Sequence, residues 1–194
     1  MKTEISIGID PGWVNLGLSI VQKVQPFKVK VIASGVFNPS KNDYGFIEEL
    51  PIIINSMISD TSQFEIKFIT IERYVPYNNV FSSETENITM LIGMIRARFL
   101  GYNACTDSSV YPKMIRAIDW KIKISQICNQ HTGFSNPSPS FDKKFSVALA
   151  KHITDNSYEF KTDHEADACC LASLPFIFND AANAKESAKA RIRK

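Results

Sequence analysis

The stretch Glu4-Ile5-Ser6-Ile7-Gly8-Ile9-Asp10-Pro11-Gly12 opens the chain with a strict alternation. Successive side chains of a strand point to opposite sides, so Ile5, Ile7 and Ile9 share one face and Ser6, Gly8 and Asp10 the other. One face is greasy. The other is small and polar and ends on a carboxylate. A strand face this small admits the close approach of another element, and Pro11-Gly12 ends the strand directly after Asp10. Asn15–Val21 resumes the strand pattern, which makes the opening a β-hairpin, and Phe27–Val36 extends it to a three-strand meander.

Working outward, Phe46, Ile47, Leu50, Ile53, Ile54 and Met57 recur at helical spacing over Asp43–Ile58, with Pro51 an expected kink or break. Glu65–Glu72 is rich in β-branched residues and reads as a central strand. On it Phe68, Thr70 and Glu72 share one face, and Ile69 and Ile71 take the other. Glu84–Leu100 is the clearest helix, striped by Ile88, Leu91, Ile92, Ile95 and Phe99. Its second face, Met90, Gly93, Met94, Ala97 and Gly101, is soft and small, as close helix contact requires. Tyr102–Val110 reads as a short strand, and Pro112–Ser140 as an irregular basic loop region. Phe141–Ile153 and Asp163–Phe178 read as helices. The order β-β-β-α-β-α-β-α-α gives an α/β or α+β sheet flanked by helices. We expect one domain over 1–180 and a basic tail over 181–194, frayed from Lys185 onward.

Length and composition set the class. A chain of 194 residues, 44% hydrophobic, suits one domain with a substantial core. No apolar stretch approaches the ~18 residues of a membrane helix, so no membrane partner is expected. The start runs directly into a strand pattern, without a leader. Cys105, Cys128, Cys169 and Cys170 form no C-x-x-C pair, which points away from a disulfide scaffold and toward a reducing, cytoplasmic location. A net charge of +2 names no partner.

Three acidic elements stand out by position. Asp10 ends the first strand, and Glu72 ends the strand Phe68–Glu72. The segment Asp163-His164-Glu165-Ala166-Asp167 opens the last helix, where His164 and Asp167 share a face and Asp163 and Asp167 nearly do. Each has an ordinary explanation: acids complement a helix N-terminus, and Asp before Pro-Gly forms turns. Glu72 fits such explanations least, because a carboxylate in so apolar a strand is partly buried and needs a partner. The small faces at Ser6/Gly8 and Ala166/Cys169/Cys170/Ser173 would bring all three elements to one place. Carboxylates gathered there are hard oxygen ligands for Mg2+ or Mn2+.

Gly8-Ile9-Asp10-Pro11-Gly12, Asn15-Leu16-Gly17, Ile71-Glu72 and His164-Glu165-Ala166-Asp167-Ala168 together resemble the RuvC-type Holliday junction resolvases of the RNase H-like superfamily. The similarity runs in order from about Ile5 to about Ala172. It implies an α/β RNase H-like fold with a mixed five-stranded sheet. It implies a magnesium- or manganese-dependent endonuclease of DNA recombination, repair or genome processing, with two ions per site. Asp10, Glu72 and Asp167 take the places of metal ligands. The fourth group is His164 or Asp163, since Asp163 departs from the family's simple spacing. By the same resemblance His164 binds metal or orients the attacking water, and the products are a 5′-phosphate and a 3′-hydroxyl. The partner implied is branched DNA, a four-way junction cut by paired nicks. The enzyme would be a homodimer through Met90, Gly93, Met94 and Ala97.

DNA contact is expected from Val110–Lys151, where seven basic side chains face two acidic ones. The candidates are Lys113, Arg116, Lys121, Lys123, Lys143 and Lys144, interleaved with Tyr111, Trp120, Phe134 and Phe141 for sugar and base contact. The resemblance matches Lys144, with Lys143 beside it, to a DNA-contacting lysine at the start of the penultimate helix. It also implies an aromatic entering the junction centre, with Tyr74, Tyr77 and Phe81 as candidates. Two alternatives stay open: a related nuclease acting on forks, flaps or RNA–DNA hybrids, and a junction-binding protein without catalysis. An actin-like or sugar-kinase ATPase needs two such domains, for which 194 residues leave no room. Cys128-x-x-His131 lacks the second half of a zinc site and reads as structural.

Overall fold

The structure, a computed structural model, describes residues 2–41, 45–57, 63–75, 82–106, 110–138 and 140–192. The opening alternation forms β1 (Thr3–Asp10), paired antiparallel with β2 (Leu16–Gln25), which pairs antiparallel with β3 (Lys28–Phe37). Helix α1 (Gly45–Met57) leads to β4 (Phe64–Arg73), which lies parallel to β1 on its free side. Helix α2 (Ser83–Thr106) leads to a short parallel edge strand, β5 (Lys113–Arg116). The sheet order is β3-β2-β1-β4-β5. Three helices follow: α3 (Ala117–Thr132), α4 (Lys143–Ile153) and α5 (Asp163–Ile192). The expected mixed five-stranded sheet flanked by helices is what forms.

The period of two sorts the core into two layers. Ile5, Ile7, Ile9, Leu16, Leu18, Ile20, Ile69 and Ile71 pack against α1 and α2 through Leu50, Ile54, Leu91 and Ile95. Burial of each large aliphatic side chain contributes ~2 kcal/mol. On the other face Trp120, Ile124 and Cys128 of α3, Phe145 and Leu149 of α4, and the Cys169–Ala172 turn of α5 form the second core.

Gly8 and Gly17 set how closely α5 approaches the sheet. A Cβ at Gly8 would overlap the Ala168 carbonyl and the Ala172 amide; one at Gly17 would overlap the His164 carbonyl. Only glycine permits this seating. The middle of α5 is tied down by Asp180, which accepts the Phe27 amide (2.8 Å) and pairs with Lys23.

Several expectations are corrected. Tyr102–Thr106 continue α2 as helix, and the fifth strand lies later, at Lys113–Arg116; residues 107–109 fall outside the described ones. Most of the expected irregular region is α3, with Trp120, Ile124 and Cys128 fully buried at intervals of four. It stops at Gly133 (φ 70°), whose amide returns to the Cys128 carbonyl. Helix α4 starts at Lys143 rather than Phe141, because the Asp142 carboxylate accepts the Lys144 and Phe145 amides. Helix α5 does not end at Phe178: it runs through Pro175 to Ile192, so the expected frayed tail is helical to that point. Likewise α1 continues through Pro51. No helix among the described residues is long and apolar enough to cross a membrane.

Candidate active site

The register of β1 on β4 places Ile9 beside Ile71, so Asp10 and Glu72 end neighbouring parallel strands on the same face. Gly17, opposite Asp10 on β2, lets the first turn of α5 settle over them. From that turn His164 donates its Nδ1–H to Asp10 Oδ2 (2.8 Å). Asp167, one turn further on, faces the same region.

Helix α3 closes the site from the other side. Trp120 donates its indole N–H to Glu72 Oε2 (2.8 Å). The next residue, Lys121, sets its ammonium 3.3 Å from Asp167 Oδ1, both side chains being about 15% exposed (14% and 15%). The same ammonium lies 5.1 Å from the centroid of the Trp120 ring.

The electrostatics report crowding. Burial raises Glu72 from 4.5 to about 7; nearby Asp10 adds to the rise, and the Trp120 hydrogen bond opposes it. Burial also raises Asp167, against the pull of Lys121 and with the push of Asp10. The hydrogen bond to Asp10 raises His164, against its partial burial. Asp163 behaves otherwise. Burial pushes it up, but the Lys143 ammonium, 3.0 Å from Oδ2, a backbone hydrogen bond and neighbouring His164 together hold it low.

Four of the five expected catalytic side chains therefore converge: Asp10, Glu72, His164 and Asp167. The fifth, Asp163, pairs outward with Lys143, so His164 is the group that faces Asp10. Among the described residues no three carboxylate, imidazole or thiolate side chains stand ready-made around one point. Each converging carboxylate is held by a chain partner instead: Asp10 by His164, Glu72 by Trp120, Asp167 by Lys121. The donor set itself fits a hard divalent cation, being three carboxylates with one imidazole. A lysine ammonium against a buried carboxylate marks where positive charge belongs.

The expected DNA-binding residues divide. Lys113, Lys123, Lys143 and Lys144 are exposed, as phosphate contact requires. Arg116 is also exposed, yet is engaged with Asp119 in two bonds of 2.7 and 2.9 Å. Lys121 is turned inward onto Asp167. Trp120 and Phe134 are buried in the α3–α5 core, which removes them as base-contacting aromatics; Tyr111 is 69% exposed. Tyr74 packs against the core under α1 and α2. Tyr77 and Phe81 lie outside the described residues. Sequence reasoning missed Trp120 and Lys121 as members of the acidic cluster. The spacing of Trp120, Ile124 and Cys128 by four marks an inward helix face, but it does not carry the contacts with Glu72 and Asp167. Cys128 is a buried free thiol pushed up to about 12 by burial, as a structural cysteine is.

No protein-family model and no curated protein matches the chain. Solved structures do. Thermus thermophilus RuvC in complex with a Holliday junction substrate is 14% identical, over 91% of this chain and 96% of that one, with a TM-score of 0.56. A second Thermus thermophilus RuvC structure matches at 14% identity, 93% and 96% coverage and TM-score 0.56. The yeast mitochondrial Holliday junction resolvase Ydc2 matches at 16% identity, 95% and 81% coverage and TM-score 0.54. The chain thus has the RNase H-like fold of RuvC-type resolvases.

Proposed function

We propose that this chain is a divalent-metal-dependent endonuclease that cuts four-way DNA junctions by paired nicks, in recombination, repair or genome processing. The observation that carries the reading is the convergence of Asp10, Glu72, His164 and Asp167 at the ends of β1 and β4 beneath the start of α5. It occurs in a fold shared with junction resolvases, one of them solved with its Holliday junction substrate.

Asp10, Glu72 and Asp167 would hold two Mg2+ or Mn2+ ions. When bound, such ions activate water and offset charge on the leaving oxygen of a phosphodiester. The chain's own groups do the rest. Lys121 opposes the protonation of Asp167 that burial favours. With Nδ1 committed to Asp10, the His164 ring offers Nε2 to take a proton from the attacking water. Lys143 and Lys144, exposed at the N-terminus of α4, present cations to the phosphate backbone. Lys113 on β5 and Lys123 on α3 are further exposed cations.

Paired nicks require two sites, and we place the homodimer on the outer face of α2. There Met90 and Leu100 are 47% and 43% exposed, and nothing lies within 4 Å of a side chain built at Gly93. The free, buried thiols of Cys128, Cys169 and Cys170 suit a reducing, cytoplasmic compartment.

The test is Asp10→Asn on a labelled mobile four-way junction with Mg2+. We expect cleavage to vanish and junction binding to persist. Equal cleavage by wild type and variant would refute the assignment. Running fork and RNA–DNA hybrid substrates alongside separates a junction enzyme from a relative of different selectivity.

A further inference from the structure

Trp120 has no exposed surface and packs among α3, α4 and α5. If that position served packing alone, a side chain without a polar atom would fill it at lower cost, because a buried indole N–H needs an acceptor. Its acceptor is not a nearby backbone carbonyl. It is Glu72 Oε2 at 2.8 Å, 48 residues away and on another element.

The two partners differ in freedom. An indole held in a core turns about two torsions only, and here both are fixed by packing, so its N–H is a stationary point. Glu72 has three torsions and would otherwise sample several orientations at the rim of the sheet. The hydrogen bond anchors one of its oxygens and leaves the other unclaimed by Trp120. The face of the same ring carries the Lys121 ammonium, 5.1 Å from the centroid, which in turn lies 3.3 Å from Asp167 Oδ1. One buried ring thereby orders two carboxylates, through its edge and through its face.

We propose that Trp120 is a positioning residue for the metal centre: its N–H fixes Glu72 with one oxygen left for the ion, and its ring seats Lys121 beside Asp167. This rests on the metal-site reading above. Groups that orient metal ligands from behind typically change metal affinity 10–100-fold when removed.

The test measures metal binding directly, by electron paramagnetic resonance of free Mn2+ titrated into full-length wild type, Trp120→Phe and Glu72→Gln. We expect Trp120→Phe to weaken Mn2+ binding about tenfold or more, and Glu72→Gln to weaken it further. If wild type binds no Mn2+, the metal reading falls and this inference with it. If wild type binds and folded Trp120→Phe binds equally well, the role of Trp120 alone falls.

Should Trp120→Phe not fold, the indole resonance decides. The chain has two tryptophans, so Trp13→Phe identifies the Trp120 N–H signal in a 15N-correlated spectrum. We expect that signal to shift on Mg2+ addition and in Glu72→Gln. A signal unmoved by both overturns the proposal.

Discussion

His164 and Asp10 are joined by a 2.8 Å hydrogen bond across 154 residues of chain. It separates two neighbours that sequence spacing alone leaves equivalent, because Asp163 turns the other way, onto Lys143. A group needed for proton transfer contributes typically 10²–10⁴-fold, whereas a carboxylate paired at the rim contributes little to chemistry. His164→Ala should therefore lower the cleavage rate at least about 100-fold, and Asp163→Asn less than about tenfold. Single-turnover cleavage of a four-way junction at saturating Mg2+ distinguishes them, and the reverse order would transfer the role to Asp163.

Glu72 carries a stability cost that depends on pH. Its folded value of about 7 lies above the ordinary 4.5, so the folded protein holds this proton more tightly than the unfolded chain does. The penalty is absent below 4.5, grows as pH rises, and is complete above 7. A rise of this size corresponds to about 3 kcal/mol. Glu72→Gln, which cannot ionise, should thus be more stable than wild type in metal-free buffer at pH 8, by up to about that amount. The gain should be nearly gone at pH 4.5. Urea unfolding with a chelator at the two pH values measures both.

Lys121 supplies the cation that Asp167 faces in the metal-free protein. Removing one member of a buried ion pair leaves the other uncompensated, at a cost of roughly 3 kcal/mol. Lys121→Met keeps the stem and removes the charge, so it should lower the Tm of the chelated protein. Added Mg2+ should then raise the Tm of Lys121→Met by more than that of wild type, since an ion supplies the missing charge. Equal Mg2+ responses would show that Lys121 does not stand in for a cation.

What the sequence made legible follows from periodicity. The alternation over Glu4–Asp10 and the paired faces of Phe68–Glu72 each bury one side completely, so their reading survives in β1 and β4. Asp10, Glu72, His164 and Asp167 stand out as candidates because strand ends and a helix start are positions, and positions can be read locally. Helix α3 was hidden because Ile118 and Ile122, 50% and 38% exposed, fill the outward face and dilute its stripe. Strand β5 has only four residues with charges at both ends, too short for alternation to register. The inward turn of Lys121 and the reach of Trp120 to Glu72 depend on how α3 meets the sheet. No local pattern carries that.

Gly8 provides the last test, because it links the opening alternation to the site. A methyl group there would meet the Ala168 carbonyl and the Ala172 amide, both backbone atoms of α5, and neither can swing aside as a side chain would. Gly8→Ala must therefore lift α5 from β1, at about 3 kcal/mol, the upper range for overpacking. For a chain of this length that lowers Tm by roughly 6–12 °C. The lifted helix carries His164 and Asp167 with it, so cleavage should fall beyond what the lost stability explains. It should be measured well below the variant's Tm, where the protein is folded. Gly93→Ala is the control for stability: nothing lies within 4 Å of its added carbon, and an alanine inside a helix is favoured by about 0.5–1 kcal/mol. If Gly8→Ala kept both Tm and cleavage, the close seating of α5 would not be what assembles the acidic cluster.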